Sequence, residues 1–107
     1  MLSKTQVRQI RERVAGDNRR LTLMFAALSD KGRFGIFRLF LRQHDLCVTD
    51  VAAVLGISVP AASQQLKVME LSGLVTKERN GQRICYAVLR RDPAVRSLIR
   101  IIDSFYA

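Results

Sequence analysis

Apolar residues recur every three or four positions over most of the chain, a spacing that places side chains on one face of an α-helix. Near the amino terminus Val7, Ile10 and Val14 follow this spacing, and charged side chains fill most positions between them. The pattern predicts helices over residues 3–15, from Asp17 or Asn18 to Leu28, from Asp30 to Leu41, from Thr49 or Asp50 to Leu55, from Ser58 to about Ser72, and from Asp92 onward.

Residues that begin and end helices separate these segments. Asp30, Ser58 and Asp92 suit N-cap positions, because their short side-chain oxygens accept hydrogen bonds from free N–H groups of the first turn. Gly56 suits the left-handed conformation that ends a helix. After Gly73 the apolar and polar residues alternate, with a period of two that is typical of a β-strand. Two strand-like segments follow, joined by the strong hairpin signal Asn80-Gly81, and they span residues 74–79 and 83–89.

Two short helices joined by Gly56-Ile57-Ser58 form a candidate helix-turn-helix. In the second helix, four residues share an inward face: Val59, Ala62, Leu66 and Met69. The opposite face is small and polar, and it carries Pro60, Ala61, Gln64, Gln65 and Lys67. An amide can pair with an adenine edge and a lysine can reach a phosphate or guanine, so this face suits the DNA major groove. An ordinary solvated face is the alternative interpretation.

The hairpin that follows favours the DNA interpretation. Lys77, Arg79 and Arg83 surround the Asn80-Gly81 tip and give this two-stranded wing a positive charge suited to a phosphate backbone. The sequence thus predicts a mainly α fold, a winged helix-turn-helix with a two-stranded β-hairpin wing. The predicted DNA contacts are Ser58, Pro60, Ala61, Ser63, Gln64, Gln65, Lys67, Lys77, Arg79, Asn80 and Arg83, with the two serines as phosphate partners.

The charge balance points the same way. The 107 residues include 18 Lys and Arg against 9 Asp and Glu, a net charge of +9. This excess favours a polyanionic partner, and a basic surface that only aids solubility is the alternative. No apolar run is long enough to cross a membrane and the amino terminus has no signal-peptide core, so we expect a cytoplasmic protein without membrane contact. No paired nucleophile and base or glycine-rich phosphate loop supports an enzyme.

Several stretches together resemble the ArsR/SmtB family of winged helix-turn-helix transcriptional regulators. They lie between about residues 21 and 89, and comprise residues 24–30 with Arg33 and Ile36, 45–52, 55–58, 62–69, 73–75, and 79–83 with Tyr86 and Leu89. The resemblance implies a homodimer that binds a pseudo-palindromic operator and pairs through its first and last helices. The last helix is apolar over most of its circumference, which agrees with a second chain covering it; packing on its own N-terminal helix is the alternative. The expected interface residues are Val95, Leu98, Ile99, Ile102 and Phe105.

The chain departs from the metal-sensing members of that family. One family metal site uses two cysteines of a Glu-Leu-Cys-Val-Cys-Asp-like motif, where this chain has Cys47 but Thr49 in the second position. Another uses histidine and carboxylates of the last helix, which here offers Asp92 and Asp103 but no histidine. The only histidine of the chain, His44, lies elsewhere. We therefore expect neither a metal site nor a cofactor.

Cys47 and Cys85 allow two interpretations. Both stand among apolar residues, so the expectation for a cytosolic protein is two reduced, buried and inert thiols. The alternative is a thiol sensor that oxidises within or between subunits.

The sequence as a whole predicts a single winged helix-turn-helix DNA-binding domain over residues 1–107. Its helix-turn-helix lies at about 49–72, its wing at about 74–89, and its dimerisation helices at about 3–28 and 93–106. We expect a homodimeric transcriptional repressor that binds double-stranded DNA and lacks the usual metal site of the family. The alternatives are a redox-responsive repressor that uses the two cysteines, or a winged helix that docks proteins.

Overall fold

A computed structural model describes residues 1–16 and 19–106. The order of its elements is α1 (Lys4–Val14), α2 (Arg19–Leu28), α3 (Lys31–Arg42), β1 (Leu46–Cys47), α4 (Val48–Leu55), α5 (Val59–Leu71), β2 (Val75–Asn80), β3 (Arg83–Val88) and α6 (Pro93–Tyr106). The strands form one antiparallel sheet in the order β1-β3-β2. The architecture is therefore mainly helical with a small sheet, as the pattern predicts.

Side-chain oxygens cap three helices where the sequence places them. The Asp30 carboxylate accepts the Arg33 N–H at 3.0 Å, and the Ser58 hydroxyl accepts the Ala61 N–H at 3.2 Å. Asp92 accepts the N–H groups of the first turn of α6. The expected cap of α2, at Asp17 or Asn18, lies outside the described residues.

The fourth helix begins earlier than predicted. Its N-cap is Cys47, and neither Thr49 nor Asp50 caps it. Asp50 lies inside the first turn, where its carboxylate accepts the Cys47 N–H at 2.8 Å. The shift arises because residues 46–47 pair with β3 as a third strand, so the chain passes directly from that strand into the helix.

The core lies between α2, α3, α4, α5, α6 and the sheet. Met24, Phe37, Leu66 and Leu74 are fully buried there. On α5, three residues of the predicted inward face, Ala62, Leu66 and Met69, are buried, whereas Val59 remains 46% exposed at the start of the helix. The buried row fixes which side of α5 faces outward.

Helix α1 contributes nothing to this core. It has no buried residue, and the protein has a radius of gyration of 17.4 Å, against about 13 Å for a compact domain of about 100 residues. Among the described residues no single helix is long and apolar enough to cross a membrane; α4 and α5 meet the criteria of length and composition only when joined, and they are bent by 113°.

Candidate nucleic-acid interface

A sharp turn connects α4 to α5. Gly56 has a positive φ of 66° and donates its N–H to the carbonyl of Ala53, and the Ile57 N–H bonds the carbonyl of Ala52 at 3.0 Å. The two helices are bent by 113° about this turn. Since Ala62, Leu66 and Met69 hold one side of α5 against the core, the other side is presented to solvent.

The exposed side of α5 contains most of the predicted contact residues. Gln64 and Lys67 are exposed one turn apart, and the small residues Pro60, Ala61 and Ser63 are exposed before them. Ser58 is exposed too, and while its oxygen caps the helix its hydroxyl hydrogen can still be donated. This surface combines little bulk with directional polar groups.

Gln65 does not share that orientation. Its side chain is half-buried, and its Oε1 atom accepts a hydrogen bond from Arg33 Nη1 at 3.0 Å. Its Nε2 atom donates to the carboxylate of Asp30 at 3.5 Å. Of the two adjacent glutamines, only Gln64 is therefore free of an α3 contact among the hydrogen bonds described.

Asp30 is held in its charged form by these neighbours. The hydrogen bond from the Arg33 backbone N–H has the largest effect and lowers the pKa of Asp30. Partial desolvation raises this pKa and is the second-largest effect, and the Arg33 guanidinium and the Gln65 amide each lower it by less, so that the pKa remains below its ordinary value. The junction of α3 and α5 thus carries a carboxylate, a guanidinium and an amide in mutual contact.

The wing has two faces, because side chains alternate along β2 and β3. Lys77 is paired with Tyr86 and Arg79 with Ile84, so both cations lie on one face. Arg83 lies at the end of the hairpin on the other face, where its Nη2 atom forms an ion pair with Asp50 at 3.0 Å. Asn80 is exposed at the tip, next to Gly81 with its positive φ of 64°. Lys77 and Arg79 are therefore exposed together on one face of the wing, whereas Arg83, also exposed, forms an ion pair with Asp50 on the other face.

A groove of about 310 Å³ lies between the wing and the start of α5. Its lining combines the first turn of α4, the first turns of α5 and the beginning of β3: Cys47, Val48, Thr49, Val59, Ser63, Gln82, Arg83 and Ile84. The groove joins the start of α5 to the wing.

Cys47, which lines this groove, forms a disulfide bond with Cys85. Both are buried, as predicted, and the structure joins them by one bond where the sequence suggests two separate reduced thiols. Strand β1 places Cys47 directly opposite Cys85 on β3. A strand of only two residues is too short to show an alternating pattern, so the sequence could not predict this pairing.

The residues of the family metal sites are not in place. The second cysteine of the motif is replaced by Thr49, and Cys47 is bonded to Cys85. Within residues 1–16 and 19–106, no group of three or more His, Cys, Asp or Glu side chains could hold a metal ion. Within one subunit, the described donors therefore do not assemble the roughly four nitrogen or sulfur ligands that a soft-metal ion needs.

The expected dimer residues are divided between two environments. Val95, Leu98 and Ile102 pack into the core of their own subunit, and Ile99 is half-buried against it. Phe105 is the most exposed of the five, at 80%. The sequence could not distinguish the side of α6 that covers its own core from the side that remains outside. The large apolar side chains exposed on α1, α2 and α6 are Val7, Ile10, Val14, Leu21, Leu23, Phe25, Ile101, Phe105 and Tyr106.

Comparison with known proteins identifies relatives of this arrangement. A family model described as "Bacterial regulatory protein, arsR family" matches residues 30–77, from the N-cap of α3 into β2. The transcriptional repressor SmtB homolog of Synechocystis sp. is 33% identical over 85 residues, which cover 78% of this chain and 64% of the relative. The arsenical resistance operon repressor of Escherichia coli is 32% identical over 80 residues, which cover 75% of this chain and 67% of the relative. The chain thus spans less than two thirds of the Synechocystis protein.

A solved structure shows the same fold. The homodimeric winged helix-turn-helix DNA-binding domain of Mb0332 from Mycobacterium bovis, a possible ArsR-family transcriptional regulator, matches with a TM-score of 0.68. The match covers 97% of this chain and 89% of that one, at 21% identity. The fold is therefore that of a winged helix-turn-helix, with β1 as a third strand beside the predicted hairpin.

Proposed function

Because the chain belongs to the ArsR family of bacterial regulatory proteins, we propose that it is a homodimeric transcriptional repressor that binds a pseudo-palindromic operator in the cytoplasm. One observation carries the proposal: the exposed Gln64 and Lys67 of α5 stand beside a wing with exposed Lys77 and Arg79. A groove-reading helix and a phosphate-binding wing are the two parts that such a DNA complex needs.

The roles of the contact residues follow from their chemistry. Gln64 offers an amide to a base edge, and Lys67 offers a charge to a guanine or a phosphate. Pro60 and Ala61 are small enough to let the helix approach, and the hydroxyls of Ser58 and Ser63 can donate to phosphate oxygens.

Repression follows from occupying the operator. In a dimer the two recognition helices would enter major grooves about one helical turn, roughly 34 Å, apart. The charge of +9 adds affinity for any duplex, whereas the exposed face of α5 supplies the discrimination between sequences.

Dimer formation would cover the apolar surface that the subunit leaves open. Helix α1 has Val7, Ile10 and Val14 on one exposed stripe, and α6 exposes Ile101 and Phe105. Apolar patches on two terminal helices are typical of an interface between subunits. The solved relative Mb0332 is described as homodimeric, which supports the same assembly here.

Gln64→Ala tests base reading. We expect this variant to lose about 1–3 kcal/mol of discrimination between operator and mismatched duplexes, the range of one bidentate base contact. The measurement is fluorescence anisotropy on an operator selected by the wild-type protein from random DNA, with a scrambled duplex as competitor. Gln43→Ala, which removes an exposed amide outside the helix-turn-helix and wing, is the matched control. Equal losses on both duplexes would argue against base reading, and weak binding insensitive to salt would favour a protein-docking module.

The disulfide favours a second function, a redox-responsive repressor. Disulfides in cytosolic proteins are usually transient and redox-sensing. Here the bond joins β1, at the start of α4, to β3 of the wing. The Asp50 carboxylate reinforces this connection, because it accepts both the Cys47 N–H and the Arg83 guanidinium. With hydrogen peroxide as oxidant, two thiols and one peroxide would give the disulfide and two waters.

The redox proposal predicts a difference between the two forms. The disulfide holds the wing in place before DNA arrives, so we expect the oxidised protein to bind operator about threefold to tenfold more tightly than the reduced one. Binding is measured after peroxide and after dithiothreitol, with thiol titration to verify each state. The double variant Cys47→Ser, Cys85→Ser should match the reduced protein under both conditions. Equal affinity of verified oxidised and reduced protein would contradict the proposal.

A further inference from the structure

We propose that Arg33 and Gln65 form a positioning contact that refines the rotation of α5 set by its buried row, and that Gln65 does not read bases although it lies on the proposed recognition helix. The inference rests on the proposed function. It changes the role expected for one of the two adjacent glutamines.

Both polar atoms of the Gln65 amide are directed at α3. The Oε1 atom accepts from Arg33 Nη1 at 3.0 Å, and the Nε2 atom donates to Asp30 Oδ2 at 3.5 Å. A side chain that reads a base edge must present this donor and this acceptor to DNA. In Gln65 one lone pair of Oε1 and one N–H of Nε2 are engaged inside the protein, so the amide is turned toward α3.

Arg33 connects three helices through one guanidinium group. Besides the bond to Gln65, its Nε atom donates to the carbonyl of Ala27 near the end of α2 at 2.8 Å. Its Nη1 atom also lies 4.0 Å from the Asp30 carboxylate that caps α3. The planar arrangement of the Arg donors makes such a multiple contact rigid, so Gln65 is held by a group that is itself fixed.

Gly32 provides the space that the amide occupies. A Cβ atom at this position would stand 3.2 Å from both Gln65 Nε2 and Asp30 Oδ2. At Gly35, on the same helix, a Cβ atom would meet nothing within 4 Å. Of these two glycines of α3, only Gly32 therefore lies close to the Gln65 side chain.

The contact matters for DNA because neighbouring helix residues point about 100° apart. With Gln65 tied to α3, Gln64 and Lys67 are turned outward together. A small rotation of α5 would move their donors out of register with the base edges. We infer that Arg33 influences sequence discrimination without touching DNA.

A double-mutant cycle tests this role. The proteins are wild type, Arg33→Ala, Gln65→Ala and the double variant, and each is measured on the selected operator and on a scrambled duplex. We expect each single change to weaken operator binding about tenfold, and the double variant to be weakened about tenfold as well, not a hundredfold. Binding to the scrambled duplex should change by less than about twofold.

Base reading by Gln65 predicts a different result. The losses would then be additive, and only Gln65→Ala would alter the base preference at one operator position in a repeated selection. Either finding overturns the proposal. So does unchanged operator binding by Arg33→Ala, whose folded state is verified by circular dichroism at the assay temperature. If the wild type itself fails to distinguish operator from scrambled DNA, the proposed function falls and this inference with it.

A second pair of variants tests the geometry without removing either partner. Gly32→Ala and Gly35→Ala make the same substitution within one helix, but only the first crowds the Gln65 amide. We expect Gly32→Ala to weaken operator binding about threefold and Gly35→Ala to leave it unchanged. Equal operator affinity of the two variants would overturn the proposal that the amide depends on this space.

Discussion

Replacing Ile10 with aspartate is expected to give a monomer and to weaken operator binding by at least about 100-fold. Ile10 lies on the apolar stripe of α1, and it is 42% exposed in the subunit. The substitution should therefore leave the fold of the subunit intact. In the proposed dimer it would bury a carboxylate against apolar side chains, at a cost of several kcal/mol.

The loss of affinity follows from separating the two recognition helices. In a dimer, binding of one half-site holds the second helix near its own half-site at an effective concentration of order millimolar. A monomer loses that advantage, which is about 100-fold when a half-site alone binds with a dissociation constant of order 10 µM. Sedimentation equilibrium gives the mass, and anisotropy on the same sample gives the affinity.

Gln9→Asp is the matched control, because it introduces the same charge at an exposed polar position of the same helix. It should remain dimeric. Phe105→Asp, on the exposed side of α6, should behave like Ile10→Asp if both helices form the interface. A dimer mass retained by both variants would place the interface elsewhere. Ile102→Asp would be less informative, since Ile102 packs in the core and its loss unfolds the subunit.

The features that depend on neighbours in the chain could be predicted from the sequence. The caps Asp30, Ser58 and Asp92 act within three residues of themselves, and the Asn80-Gly81 turn sets the hairpin pairing of Asn80 with Arg83. Local chemistry decides such features.

The features that depend on contacts between distant parts of the chain could not be predicted from the sequence. Strand β1 exists because its two residues pair with β3, and the disulfide joins cysteines 38 positions apart in that register. The orientation of Gln65 depends likewise on Arg33, 32 positions earlier. A helical wheel places Gln64 and Gln65 on adjoining parts of one polar face, and only the packing of α3 against α5 separates their surroundings.

The double variant Lys77→Ala, Arg79→Ala is expected to weaken binding to every duplex, by about a thousandfold at 0.1 M salt. Both cations are exposed on one face of the wing, so a dimer would lose four phosphate contacts. Each contact contributes about 0.9 to the slope of log affinity against log salt. The slope should therefore become shallower by about three to four.

Specificity distinguishes this loss from that of Gln64→Ala. Phosphate contacts carry no sequence information, so the ratio of operator to scrambled affinity should stay nearly constant. Affinities are measured from 50 to 300 mM potassium chloride on both duplexes.

Arg96→Ala, Arg100→Ala is the control, because it removes the same charge from exposed positions of α6 and leaves the wing intact. It should change the slope by less than one. If it lowers the slope as much as the wing variant does, total charge rather than the wing determines the affinity.

Arg83→Ala should have a smaller effect on the slope than Arg79→Ala, since the Arg83 guanidinium is already neutralised by Asp50. An equal effect of the two single variants would mean that the wing releases Arg83 from Asp50 when it meets DNA.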